Sequence, residues 1–379
     1  MSAVPPIVAG MVDEVARAEV LAFRAHAQQL DGAAAAPGGA AVLDFGVQDT
    51  GPDGGRWALA IRGAGATAGP GPGGGELATV WTLRGAPHLY RREDLPTVAA
   101  ATAPYSEADA AKRIFDAARP LRAAGISPLV ALDSVAAAMR GLVTGPMTKG
   151  EVSARLAELM GPPYLRFCRP CQATHLYEQP FRLAALRAGL ELVPGTSPPV
   201  LRPIPGLIAA ATVPARFDVI RGYLRFLGPA APKQVAEFLD APVKEIRARW
   251  PADAVEVCVE GEARWILAED RDRLGHGAVT STRLLGPYDL FLQARDRALL
   301  VGDQARAKAL WPVLGRPGAV LVGGEVAGLW RPRQTAGKLR LNLTMWRPLT
   351  QALRASIDAQ AERLAAFRQV RLVGVEAVD

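Results

Sequence analysis

The stretch Val320-Leu321-Val322-Gly323-Gly324-Glu325-Val326-Ala327-Gly328-Leu329-Trp330-Arg331 sets two apolar runs on either side of a Gly-Gly pair. Such runs about a glycine turn read as a β-hairpin. Upstream stand Leu284-Leu285-Gly286-Pro287-Tyr288-Asp289 and Ala294-Arg295-Asp296-Arg297. Short strands are predicted at 298–301, 318–322, 326–330 and 338–346, and a small β-barrel is their natural closure. Residues 350–367 carry the spacing of a final amphipathic helix.

Working back along the chain, two stretches read as helix-turn-helix units. In the first, Met147-Thr148-Lys149-Gly150-Glu151-Val152, Thr148 with Glu151 three residues later makes a capping box before an amphipathic helix. The second spans 223–250, with Gly228-Pro229 as turn and helices at 232–239 and 243–250. Alternation then continues through 255–267 about Glu260-Gly261, which reads as a β-wing. A helix-turn-helix followed by a hairpin is a winged helix. The predicted class is therefore α+β: tandem winged-helix modules with a small C-terminal β-barrel. Boundaries are expected at 1–125, 126–206 (second module with a proline-rich linker at 195–206), 207–280 and 281–379. Further helices are predicted at 12–29, 108–118 and 129–142, and a low-complexity loop at 63–75.

At 379 residues the chain is too long for one small core. Half of it is hydrophobic and 21% is charged, which excludes a disordered chain. The net charge of +7 favours polyanionic partners. No run approaches the roughly 18 apolar residues that span a bilayer, and residues 1–10 lack a signal-peptide pattern. With only Cys168, Cys171 and Cys258, a disulfide framework is not expected. The cytoplasm is the expected compartment and a monomer the expected state.

Four segments, in order and spacing, resemble a bacterial family, the AlkZ/YcaQ-like DNA glycosylases. They are Val47-Gln48-Asp49-Thr50, Arg84-Gly85-Ala86-Pro87-His88-Leu89, the second winged helix with its wing, and the C-terminal block. The resemblance implies tandem winged helices closed by a β-barrel, double-stranded damaged DNA as partner, and hydrolysis of the N-glycosidic bond of alkylated purines or crosslinks. The family motif is Gln-x-Gln or Gln-x-Asp. Gln48 matches its first position, Thr50 departs at its third, and the acid Asp49 stands one residue early. Gln48, Thr50 and Asp49 are the catalytic candidates.

The chemistry explains the departure's importance. A cationic alkylpurine is already a good leaving group, so the protein needs to stabilise an oxocarbenium-like sugar and position a water. A Gln amide orients water by donating and accepting, and a carboxylate can act as base. Thr50 holds a water but is no base at neutral pH. In an extended segment Gln48 and Thr50 share a face while Asp49 points away; in a tight loop Asp49 can swing inward.

The DNA-binding candidates are Arg84, His88, Lys149, Arg155, His175, Tyr177, Lys233, Lys244, Arg247, Arg295 and Arg297. Arg84 and His88 either meet the DNA or satisfy carbonyls at a turn. Asp289 and Asp296 read as structural ion-pair partners, with Arg295 and Arg297 reaching phosphates. Cys168, Cys171 and His175 fall short of four metal ligands, so no metal is predicted. The chain lacks a phosphate-loop signature, so no nucleotide cofactor is expected. Two other readings stay open: a DNA-binding module without catalysis, and a protein-interaction scaffold.

Overall fold

The computed structural model describes residues 13–32, 39–51, 54–64, 76–170 and 172–378. The glycine-rich stretch from 65 to 75 and Cys171 lie outside them. No helix among the described residues is long and apolar enough to cross a membrane.

The middle of the chain shows how local sequence becomes packing. Asp218 accepts from the backbone N–H groups of Ile220 and Arg221 and so starts the helix Val219–Leu227. Helices Pro232–Leu239 and Val243–Ala248 follow, then strands Ala254–Val259 and Glu262–Leu267. The strands pair antiparallel, Val259 opposite Glu262. Glu260 and Gly261 both have positive φ, 51° and 78°, the geometry of a tight primed turn. Val257, Val259 and Ile266 are fully buried in one cluster with Phe226 and Phe238. The short strand Glu14–Val15 adds to Ala254–Val259 in parallel, and helix Arg17–Ala27 packs on Val219–Leu227.

A six-stranded sheet runs in the order Val47–Gln48, Pro87–Arg91, Leu77–Trp81, Leu190–Leu192, Val200–Pro203, Met147–Thr148. It crosses residue 125. The stretch read as a linker supplies one of its strands, because Val200 and Leu201 pair with Thr148 and Met147. The capping box is present: Thr148 Oγ1 accepts from Glu151 N at 3.3 Å and Glu151 takes the Thr148 N–H at 2.8 Å. The helix read at 108–118 breaks at Ile114 into Glu107–Arg113 and Ala118–Ala123.

The C-terminal hairpin is Gly318–Val322 with Glu325–Thr335, turning at Gly323-Gly324. Lys338–Met345 follows, and helix Gln351–Phe367 is capped by Thr350. Two expectations need correction. Residues 298–301 are not a strand; Arg297–Leu300 is a helical turn that buries Leu299 and Leu300. No closed barrel is present among the described residues. The sheet is open, with Thr282–Leu285 at one edge and Arg371–Ala377, a strand the sequence reading missed, at the other. The helix Gln351–Phe367 packs on both edge strands, and its Ile357, Ala361 and Leu364 are fully buried. Apolar cover from that helix replaces the closing ladder.

Two indoles bond the edge strand Thr282–Leu285, one from outside the sheet and one from within it. Trp57 Nε1 donates to Leu284 O at 2.7 Å and Trp330 Nε1 donates to Leu285 O at 2.8 Å. Adjacent carbonyls of one strand therefore fix the helix Gly54–Ala60 and the C-terminal hairpin together.

Candidate active site

Gln48 lies on the outermost strand of the six-stranded sheet, opposite His88. Its amide sits in a network that leaves one orientation. Arg84 is a donor only, and the carbonyls of Phe238 and Tyr288 are acceptors only. Arg84 donates to Phe238 O at 2.8 Å and to Gln293 Oε1 at 3.0 Å. Gln293 Nε2 then donates to Tyr288 O at 2.9 Å and to Gln48 Oε1 at 2.8 Å. Arg84 also reaches Gln48 Oε1, at 3.3 Å. With its oxygen turned to two donors, Gln48 presents Nε2 to Thr50 and donates to Oγ1 at 2.9 Å.

Asp49 faces the other way, as strand alternation requires. Its backbone N–H bonds Pro87 O at 2.8 Å. Oδ1 accepts from Gly55 N at 2.9 Å and Oδ2 from Thr79 Oγ1 at 3.4 Å. The carboxylate thus binds the first turn of Gly54–Ala60, where helix N–H groups lack partners. A Cβ at Gly55 would come within 3.0 Å of Asp49 Oδ1 and 2.8 Å of Leu89, so this approach needs glycine. Asp49 braces, and Thr50, bonded to Gln48, faces the opening.

Arg84 occupies the left-handed region at φ 58°, followed by Gly85 at φ 66°. A non-glycine residue there costs about 1–2 kcal/mol, and it holds the guanidinium 4.3 Å over the Phe238 ring. Burial, then the charge of Arg295, lowers its pKa to about 10, so it stays charged at neutral pH. Arg295 lies over the same ring at 5.8 Å. Arg297 stacks on Trp311 at 4.9 Å and Arg316 on Tyr288 at 5.2 Å. Burial, then the Arg295 and Arg316 charges, lowers the Arg297 pKa. Among the described residues, none of these four arginines forms an ion pair.

His88 is buried within the sheet. It is 3% exposed, and Nδ1 lies 3.0 Å from both Ala86 O and Thr82 Oγ1. Burial, then the Arg84 charge, pushes its pKa down to about 3, so the ring is neutral. Lys149 is paired with Glu178 at 2.8 Å instead of standing free. His175 is half-buried on the strand Ala173–Leu176, and Tyr177, also half-buried, precedes helix Glu178–Arg187. Arg155, Lys233, Lys244 and Arg247 are exposed on their helices and form no ion pair among the described residues. Among the described residues no group of three metal-ligating side chains comes together.

Gln293 escaped sequence reading, because it falls between the two quoted segments. Its position is set by Asp289, which accepts from Phe291 N and starts the turn Leu290–Gln293. Asp289 is itself held by Arg62 through two bonds of 2.7 and 2.8 Å. Asp296 is held likewise by Arg24 at 2.6 and 3.0 Å, and by Arg264. Thr50, Gly51 and Gly54 open onto a pocket of about 870 Å³ that continues past Tyr288, Arg316, Arg331 and Arg333.

A family model described as DNA glycosylase AlkZ-like matches residues 42–367. The solved structure of Streptomyces sahachiroi DNA glycosylase AlkZ is similar in fold, with a TM-score of 0.72 and 20% identity. That alignment covers 96% of this chain and 100% of that one. No curated protein matches the chain.

Proposed function

Since the chain belongs to the AlkZ-like DNA glycosylase family, we propose that it hydrolyses the N-glycosidic bond of alkylated purines or crosslinks in double-stranded DNA. The observation that carries this reading is the fixed Gln48 amide beside Thr50, held by Arg84, which has no carboxylate partner among the described residues. In this reading the arginines Arg84, Arg295, Arg297 and Arg316 receive phosphates. Residues 207–280 act as a winged helix whose exposed Lys233, Lys244 and Arg247 add to the contact. Arg155 extends it from the module at 126–206, while His175 and Tyr177 border the lesion. The protein works as a cytoplasmic monomer without metal or nucleotide cofactor.

The step needs no protein base. The C1′–N bond breaks with its electron pair going to the base, which neutralises the charge of the alkylpurine. Gln48 keeps one unused Nε2 proton, which holds one lone pair of a water. Thr50 Oγ1 keeps one lone pair, which accepts a proton of that water. The second lone pair of the water is left to bond C1′, and the released proton passes to solvent. Asp49, committed to the Gly55 N–H, takes no part. DNA phosphates drawn in by the arginines lie beside the sugar and screen its developing positive charge.

Base release from a duplex with one N7-methylguanine tests this. The expected result is release by wild type and a fall of about 10²-fold or more in Gln48→Ala, the size of effect that one preorganised donor has elsewhere. The replacement of the family's third motif residue by Thr50 favours one other reading, binding without catalysis. Salt-dependent duplex binding with no release from any alkylated or crosslinked duplex would establish it.

A further inference from the structure

The pocket beyond Thr50 does not end at Arg333. Arg333 and Asn342 also line a second cavity of about 580 Å³, with Lys338, Arg340 and the Glu376 that pairs with Arg340. Through these shared residues the cavities run from Thr50 to the tip of the ribbon made by Glu325–Thr335 and Lys338–Met345. The tip turns at Ala336-Gly337, both with positive φ, 48° and 72°, again a tight primed turn.

The ribbon is apolar on its inner side and cationic outside. Leu339, Leu341 and Leu343 are fully buried, while Lys338 and Arg340 between them are exposed. Residues 331–335 are exposed throughout. In register, Arg333 stands opposite Arg340. Like charges directly opposite on a sheet are destabilising. Arg340 is relieved by Glu376, and Arg331 donates to Gly315 O at 2.6 Å. Arg333 has no ion-pair or hydrogen-bond partner among the described residues. Protection of an unpaired strand end asks only for charge; it does not ask for two cations face to face. Arg333 is the one cation of this facing pair without a counter-charge among the described residues, and it is matched to an anion.

The lining decides between two anion-compatible and cation-compatible occupants. Arginines and no Asp or Glu line the first cavity among its described residues. A cationic alkylated base is disfavoured there, whereas a phosphodiester is favoured. Arginines two apart on a strand sit about 6.8 Å from each other, so the ribbon spans more than one phosphate.

We infer that Arg331, Arg333, Lys338 and Arg340 form a clamp for the phosphate backbone of the nucleic-acid strand that leaves the Gln48–Thr50 site. This rests on the DNA reading above and adds a surface to it. The contacts are to backbone, so the clamp is indifferent to sequence.

The test is equilibrium binding of the full chain to an undamaged 20-base-pair duplex across a salt series. The triple variant Arg333→Gln/Lys338→Gln/Arg340→Gln is compared with wild type and with Arg119→Gln/Arg122→Gln, a loss of exposed charge elsewhere. The clamp variant is expected to lower the slope of log K against log salt by about two to three, at about 0.9 per phosphate contact. The control is expected to keep the wild-type slope, and Arg333→Lys to keep most of it. An unchanged slope in the clamp variant overturns the inference, as do losses in the two variants in proportion to the three and two charges removed, which would report net charge alone. Wild type that binds no duplex overturns both this and the DNA reading. Wild type that binds this duplex but releases no base from the N7-methylguanine duplex overturns only the catalytic reading.

Discussion

Two sets of arginines share the interior of this protein, and they differ in what faces them. Arg24, Arg62 and Arg264 are buried and matched: Arg62 with Asp289, and Arg24 and Arg264 with Asp296. Arg84, Arg295, Arg297 and Arg316 are half-buried and unmatched, stacked on aromatic rings around Gln48. The difference separates two jobs. A matched guanidinium is neutralised where it stands and holds elements together. An unmatched one keeps its charge uncompensated, and burial first, then the charges of neighbouring arginines, lowers the Arg84 and Arg297 values.

That contrast breaks most visibly when a matched partner is removed. Asp289→Ala leaves Arg62, 1% exposed, charged in the core, and a loss of about 3–5 kcal/mol is expected. Arg295→Ala should lose about 1 kcal/mol or less, a typical surface-like substitution. Urea unfolding of both variants measures the pair, and similar losses would erase the distinction.

Acid sharpens it. Burial alone would raise the Asp296 pKa, but the charges and hydrogen bonds of Arg24 and Arg264 outweigh burial and hold it below the ordinary value. A depressed carboxyl contributes stability that is complete above the unfolded value of about 4. It is lost as pH falls through the folded value, by up to about 1.4 kcal/mol per pH unit. The unmatched set contributes nothing to this slope, since guanidinium does not titrate there. The wild-type urea midpoint should fall more steeply below pH 4 than that of Asp296→Asn.

The smallest effect belongs to the unmatched set. Arg295→Gln/Arg297→Gln should reduce the salt slope of duplex binding by about two while moving the urea midpoint little. A salt slope left intact would remove these two from the binding face.

How much of this was legible in the sequence follows from which interactions are local. The capping box at Thr148 and Glu151, the turn at Glu260-Gly261 and the hairpin about Gly323-Gly324 all rest on neighbours in sequence, and the structure contains them. Period-two alternation put Gln48 and Thr50 on one face. The role of Asp49 needed Gly55 and Thr79, which no pattern connects to it. Gln293 needed Asp289, Arg62 and Arg84 at once, from three distant segments. Residues 298–301 read as a strand because Leu-Leu-Val is apolar, but a short apolar run does not by itself tell a strand from a buried helical turn. The barrel was expected from strand count, and the helix Gln351–Phe367 occupies the edges that would have closed it. His88 was read from a short segment resemblance, with a turn carbonyl as the other reading, and such a segment carries no information on burial.

The central claim is that the Gln48–Thr50 face does the chemistry while Asp49 only braces it. Single-turnover base release from an N7-methylguanine duplex, read alongside urea unfolding for Gln48→Ala and Asp49→Asn, tests it directly. The expected result is that Gln48→Ala loses release and keeps its stability, while Asp49→Asn loses stability and keeps release in its folded fraction. Release abolished in a folded Asp49→Asn and retained in Gln48→Ala would contradict the account.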